Sequence, residues 1–281
     1  MTLAVASEGR AGRAKRLAVP GRLTRASGIG LGLSLIWFSL LDLIPLAAVG
    51  ATAVQGGWAA FWDTITNEQT AAAIKLTVGQ ALLVTGINIV MGTLIAWVLV
   101  RDQFFGKRLV EVLIDLPFAL PTIVAGLVLL SLYGPKSPVG IDIVNKPSAV
   151  TVAFLFVTLP FVVRTVQPVL EELDPEVEEA AASLGASRFT TFRRVILPSL
   201  IPAIAAGAAL SFARAVSEYG SLVLLSGNLP FKTEVTSVRV LSSVENNNTE
   251  AAAAVATVLL VISLLVIVVL DVVQRRMSRR G

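Results

Sequence analysis

Arg214 and Glu218 interrupt a long apolar run and stand four residues apart. On a helix that spacing puts both on one face. A charge at the centre of a membrane helix costs about 2.5–3.5 kcal/mol on insertion scales, so such residues turn toward protein or water. The chemistry open to this pair is ionic. It can draw and orient a charged solute, or the two groups can neutralise each other and hold a bundle together. Bond-making chemistry has few candidates. The 281 residues include no cysteine and no histidine, which excludes disulfide frameworks, thiolate chemistry and the usual zinc ligands. No cluster of nucleophile, base and metal ligand stands out, so the chain does not read as a membrane-embedded enzyme.

A second constellation lies upstream. Glu179-Ala180-Ala181 is followed by Gly185 and, after nine residues, by Val195-Ile196-Leu197-Pro198. Asp174 is a good N-cap and Pro175 suits the first helical position. Glu176, Glu178 and Glu179 then load the positive end of the helix dipole. Gly185 can take the left-handed conformation that ends the helix. Ser187 can cap a second helix through Phe189, Phe192 and Val195, with Arg188, Arg193 and Arg194 on that arm and Pro198 and Pro202 at the start of the next span. Two ordered helices in a short loop point to something that they touch. A basic amphipathic arm lying on anionic lipid is the plainer alternative.

The elements that position these groups are membrane spans. The chain is 55% apolar with a mean hydropathy of +0.79, against about 45–50% apolar for soluble domains. Six runs reach the roughly 20 apolar residues that a crossing needs: 29–54, 71–100, 112–133, 149–170, 199–226 and 251–273. The fourth is the weakest, with Arg164 and Gln167 near its end and Pro160 inside. The fold class is therefore all-α, a polytopic bundle of six transmembrane helices with a helix-turn-helix loop at 171–198. Residues 1–28 form a basic arm, 29–275 one membrane domain and 276–281 a tail.

Orientation follows from Lys and Arg in the short loops. Seventeen of the 23 basic residues fall on one side: Arg10, Arg13, Lys15, Arg16, Arg22 and Arg25 in the arm, Arg101, Lys107 and Arg108 in the second loop, Arg164, Arg188, Arg193 and Arg194 in the fourth, and Arg275, Arg276, Arg279 and Arg280 in the tail. That side is the cytoplasm, and both termini lie there. The net charge of +4 is dispersed over loops rather than gathered on one face, so it reflects topology and not a nucleic-acid surface. The run that follows the arm is longer than the core of a signal peptide. Asp42 reads as a packing or interfacial residue.

Three further features bear on a path. The second span carries Thr77, Gly79, Gln80, Gly86, Asn88, Gly92 and Thr93. Such residues serve helix packing in membranes, and that reading outweighs a pathway-lining one. Pro117 and Pro121, four apart in the third span, break its hydrogen-bond ladder twice. Freed carbonyls are tolerated where protein or water meets them, so this segment should face the bundle interior. The loops 134–148 and 227–250 are turn-rich and lie on the outer side.

The loop pattern resembles the EAA loop of the permease subunits of binding-protein-dependent ABC importers. Val195 in place of Ile is its only departure. Leu116–Thr122, Leu159–Pro168, Glu178–Ala186 and Phe212–Gly220 are similar to the sulfate/thiosulfate (CysT-type) branch of that family, over about residues 30–275. Ser217 stands where many relatives carry Gly. The resemblance implies a type I ABC importer permease in a bacterial cytoplasmic membrane. It implies that Glu179, Ala180, Ala181, Gly185, Leu197 and Pro198 couple to a separate ATPase, Glu179 meeting a basic residue there. It implies a second homologous (CysW-type) permease, two copies of the ATPase with their ATP and Mg, and a sulfate/thiosulfate-binding protein. This chain has no Gly-x-x-x-x-Gly-Lys-Ser/Thr sequence, so hydrolysis is expected on another polypeptide. The path candidates are Arg214, Ser217, Glu218, Pro117 and Pro121, with Arg214 passing a divalent oxyanion that Glu218 orients. The alternatives are molybdate or tungstate as cargo, and an ATP-independent channel or secondary transporter, whose inverted repeats are not evident.

Overall fold

In a computed structural model of the chain the described residues are 25–278, with side chains described for 27–276. Arg10, Arg13, Lys15, Arg16 and Arg22 of the expected arm, and Arg279 and Arg280 of the tail, lie outside them. The described residues fall into two compact units, parted between residues 48 and 49. In the first, α1 (Arg25–Phe38) passes through a π-helical turn, Ser39–Leu43, into α2 (Ile44–Ala53), whose last residues belong to the second. Asp42 sits in that turn with its side chain exposed.

The second unit continues with α3 (Gly57–Thr66), a short helix that hydropathy alone does not announce. Asn67 caps α4 (Glu68–Arg101) by accepting the N–H groups of Gln69 and Thr70. There follow α5 (Lys107–Ala119), α6 (Thr122–Tyr133), α7 (Pro147–Glu172), α8 (Pro175–Ser183) and α9 (Arg188–Thr191). A second π-helical turn, Phe192–Ile196, leads into α10 (Leu197–Val216), then α11 (Gly220–Leu225), α12 (Thr236–Glu245) and α13 (Thr249–Ser278). Among the described residues there is no strand. Five helical stretches among the described residues are long and apolar enough to cross a membrane: Ser27–Ala53, Glu68–Arg101, Pro147–Glu172, Arg188–Val216 and Thr249–Arg276.

Two expected spans are corrected. The run 112–133 is not one helix but α5 and α6, parted at Leu120–Pro121. Pro121 disfavours helical backbone at the residue before it, and Leu120 is extended at ψ 134°. Pro117, by contrast, stays inside α5, so there is one interruption and not two. Nor does the segment face the interior: Pro117 is half-buried and Pro121 exposed. The run 199–226 is likewise divided. Its helix starts at Arg188 and stops at Val216, and 217–219 separate it from α11.

The core lies where α4, α7 and α10 meet. Its outer part gathers Val84, Phe154 and Phe212, and its other part Leu99, Val162, Val163 and Leu200, all buried. Small residues bring the helix backbones together, as packing between membrane helices requires. A Cβ on Gly92 would stand 2.8 Å from that of Val162, and one on Gly207 would stand 2.9 Å from the Val162 Cα. Val162 of α7 is thus clasped between glycines of α4 and α10. Of the small and polar residues of α4 that the sequence singles out, Thr77, Gln80, Asn88 and Gly92 go to packing, whereas Gly79 and Gly86 are exposed. The Asn88 amide, fully buried, donates to the hydroxyls of Thr158 (2.7 Å) and Ser211 (3.1 Å), tying the same three helices. Arg164, expected in a loop, is inside α7. Its guanidinium donates to both carboxylate oxygens of Asp115 on α5, at 2.7 and 2.6 Å, which is how a charge is housed in this helix. The apolar faces left exposed, such as Leu260, Leu264 and Val268 on α13, suit a lipid or protein surround.

Candidate functional site

The hairpin α8–α9 is built by its own end signals. Asp174 accepts the Glu176 N–H at 2.9 Å, with Pro175 opening the helix. At the other end the Ala186 N–H reaches the Ala181 carbonyl at 3.0 Å and the Gly185 N–H that of Ala182 at 2.9 Å. These are the two bonds of a Schellman close. Gly185 has φ +80°, the left-handed geometry expected of it. Ser187 then accepts the Thr190 N–H at 3.2 Å and starts the second arm. Pro198, whose missing N–H forbids an ordinary i→i−4 bond, sits just after the π-helical turn, where the Leu197 N–H bonds Phe192.

Helix α8 has no buried residue. Glu179 and Ala180 are exposed, Ala181 is half-buried, and Gly185 lies at the exposed tip beside Leu184, which is 89% exposed. Glu179 makes no ion pair among the described residues, whereas Glu178 pairs with Arg101 at the end of α4. Leu197 is half-buried and Pro198 exposed at the start of α10. An exposed hairpin with a free carboxylate and apolar tips can seat in a complementary surface, but it holds nothing capable of bond-making.

The second candidate region is the interruption at 217–219. Arg214 and Glu218 do not share one continuous helix, because α10 ends between them, yet they pair across its end at 2.8 Å. The Glu218 side chain is fully buried, and that of Arg214 is 31% exposed. The other carboxylate oxygen of Glu218 accepts both the N–H and the hydroxyl of Ser221, each at 2.9 Å. It therefore caps α11. The Glu218 carbonyl, freed by the end of α10, accepts the Ser237 hydroxyl at 2.7 Å. Ser217 is exposed and lines an apolar groove of about 580 Å³ with Tyr219, Ser237 and Leu259.

The two interrupted spans meet. A Cβ on Gly220 would lie 2.2 Å from the Thr122 hydroxyl, and one on Gly126 would lie 2.7 Å from the Ser221 carbonyl. The starts of α6 and α11 thus press backbone to backbone. Arg214, Ser217 and Glu218 come together at one interruption, and Pro121 lies at the other, beside Thr122. Pro117 is a turn of helix further off, in α5. The sequence reading missed Ser221 and Thr122, which carry no signal without the fold. It also missed Arg101 and Trp97: the Arg101 guanidinium stands 5.3 Å from the Trp97 ring centroid, and a basic residue at a helix end reads as an ordinary loop charge.

Comparison with known proteins adds the following. Residues 88–280 match the family described as binding-protein-dependent transport system inner membrane component. Over 219 residues the chain is 47% identical to the sulfate transport system permease protein CysT of Salmonella typhimurium, covering 75% of this chain and 79% of that protein. The protein of the same name from Synechocystis sp. is 46% identical over 219 residues, covering 75% and 77%. Among solved structures, a bacterial ABC transporter involved in import of the acidic polysaccharide alginate is similar with a TM-score of 0.72 at 18% identity, over 89% of this chain and 94% of that one. The alginate transporter in complex with its pentasaccharide-bound periplasmic protein gives 0.74 at 18% identity, over the same shares of the two chains.

Proposed function

Because this chain belongs to the family of binding-protein-dependent transport system inner membrane components, we propose that it is the membrane-spanning subunit of an ATP-driven importer that carries sulfate, and thiosulfate with it, into the cytoplasm. The observation that carries the reading is the 47% identity to a sulfate transport permease over three quarters of the chain. In this reading α5 and α6 together make the sixth crossing. Both termini and the α8–α9 hairpin face the cytoplasm of a bacterial inner membrane, in line with the bias of Lys and Arg.

The hairpin is the element that two copies of a partner ATPase grip and move. Glu179 offers its unpaired carboxylate to a basic groove there, Ala180 and Ala181 present a small-residue face, and Gly185 turns the chain. Leu197 and Pro198 pass the motion into α10. ATP and Mg belong to the partner, where hydrolysis takes place. A second, CysW-type permease completes the path, and a sulfate/thiosulfate-binding protein delivers the ion at the outer loops. Arg214, Ser217, Glu218, Pro121 and Pro117 lie on or beside the two interruptions, where a path can open. The pairing of Arg214 with Glu218 leaves little net attraction for an anion, so the pair serves first as a brace. Alternating access then comes from motion of the interrupted spans, a two-state element that both partners bias.

Reconstitution of the complete transporter in liposomes tests this. Radiolabelled sulfate should enter only with ATP and the binding protein present, and unlabelled thiosulfate should compete. Uptake that survives loss of ATP hydrolysis overturns the importer reading. Uptake of molybdate that sulfate fails to inhibit overturns the cargo.

A further inference from the structure

The following rests on the reading of the α8–α9 hairpin as the element that an ATPase drives. We propose that Arg101 is the positioning residue that carries displacement of α8 into α4, through its ion pair with Glu178 and its cation–π contact with Trp97. The case starts from what α8 lacks. With no buried residue, the helix has no apolar anchor to the bundle: Val177 is 50% exposed and Leu184 is 89% exposed. A groove of about 500 Å³, lined by Trp97, Glu178, Ala182, Ala186 and Phe192, opens beside it. Among the described residues, the one ion pair that leaves α8 runs from Glu178, on the wall of this groove, to Arg101.

The far end of that pair is firmly held. Arg101 is the last residue of α4, and its guanidinium lies over the Trp97 ring one turn back. A guanidinium makes such a contact more often than an ammonium, and it offers a planar fork to the carboxylate at the same time. Trp97 in turn meets Phe192 edge to face, with centroids 5.4 Å apart and planes at 83°. Phe192 opens the π-helical turn of the second arm, so one node touches α8, α4 and the rising helix together. Behind it Ala96 and Leu99 are buried against α7 and α10. A push on α8 therefore reaches the core through α4, provided that the Glu178–Arg101 pair holds.

Adjacent acids thereby divide the work. Successive helical residues point about 100° apart, and Glu178 turns to its own bundle while Glu179 stays exposed. One acid belongs to the partner and the other to the transmission.

The test uses the complete transporter in liposomes, with sulfate uptake and ATP hydrolysis measured on the same vesicles. Arg101→Ala and Glu178→Ala should each lower the sulfate moved per ATP about tenfold, while the ATPase still co-purifies in full. The exchanged pair, Arg101→Glu with Glu178→Arg, should recover most of that ratio. Arg101→Lys should fall between, because it keeps the charge and loses the planar fork. An unchanged ratio in both alanine variants overturns the proposal. So does an exchanged pair no better than the single variants, or a loss of uptake that merely tracks loss of hydrolysis or of protein from the membrane. Failure of the underlying reading shows differently: the unmodified transporter then takes up no sulfate with ATP, or Glu179→Ala leaves ATPase binding intact.

Discussion

The α8–α9 hairpin and the α4–α7–α10 core are built from opposite materials. The hairpin is made of local devices, namely an Asp174 cap, a Gly185 close and a Ser187 cap, with every residue but Thr191 at least partly in the open. The core is made of contacts between residues far apart in sequence, such as Asn88 with Thr158 and Ser211, and its side chains are sealed. Stability therefore resides in the core, and the hairpin contributes little to it. The same logic separates the acids. Glu218 is buried and braced on every side, whereas Glu179 is exposed and unpaired.

The contrast can be broken at four places. Glu218→Ala should have the largest effect on folding. It strands Arg214 and uncaps α11, at about 3 kcal/mol, the low end for a broken buried pair because Arg214 keeps part of its side chain exposed. Unfolding in detergent with increasing SDS checks it, and a wild-type midpoint would move the brace elsewhere. Gly207→Val comes next at about 2 kcal/mol from overpacking against the Val162 backbone, read from the same titration.

Effects on the hairpin should be smaller and local. Gly185→Ala forces a side chain into left-handed backbone at about 1 kcal/mol. It should speed amide hydrogen exchange at 181–186 about fivefold and leave the SDS midpoint alone. If the midpoint moves, the hairpin is part of the cooperative fold and the comparison fails. Glu179→Ala should change stability by less than about 0.5 kcal/mol and yet abolish co-purification of the partner ATPase. Here the smallest structural effect meets the largest functional one.

The hairpin was legible residue by residue because capping acts within a few positions. The breaks were legible only in part. Pro121 announces one, but nothing in Ser217-Glu218-Tyr219 announces the other. That break is held open by Ser237, which satisfies the freed Glu218 carbonyl, and by Ser221. The fourth span, weakest by its Arg164, Gln167 and Pro160, is the most buried of the five long apolar stretches, because it packs between α4 and α10, and Asp115 takes up the arginine from 49 residues away.

By itself the sequence determined that this is a helical membrane protein with a capped hairpin carrying the Glu179–Pro198 motif. Hydropathy and capping are short-range, and each can be read from a window of residues. Only the tertiary structure decided which charges meet and where a span stops. Glu178 finds Arg101 across 77 positions, and no local rule selects that partner. The choice is made when α4, α7 and α10 close on their glycines and bring the end of α4 beside α8.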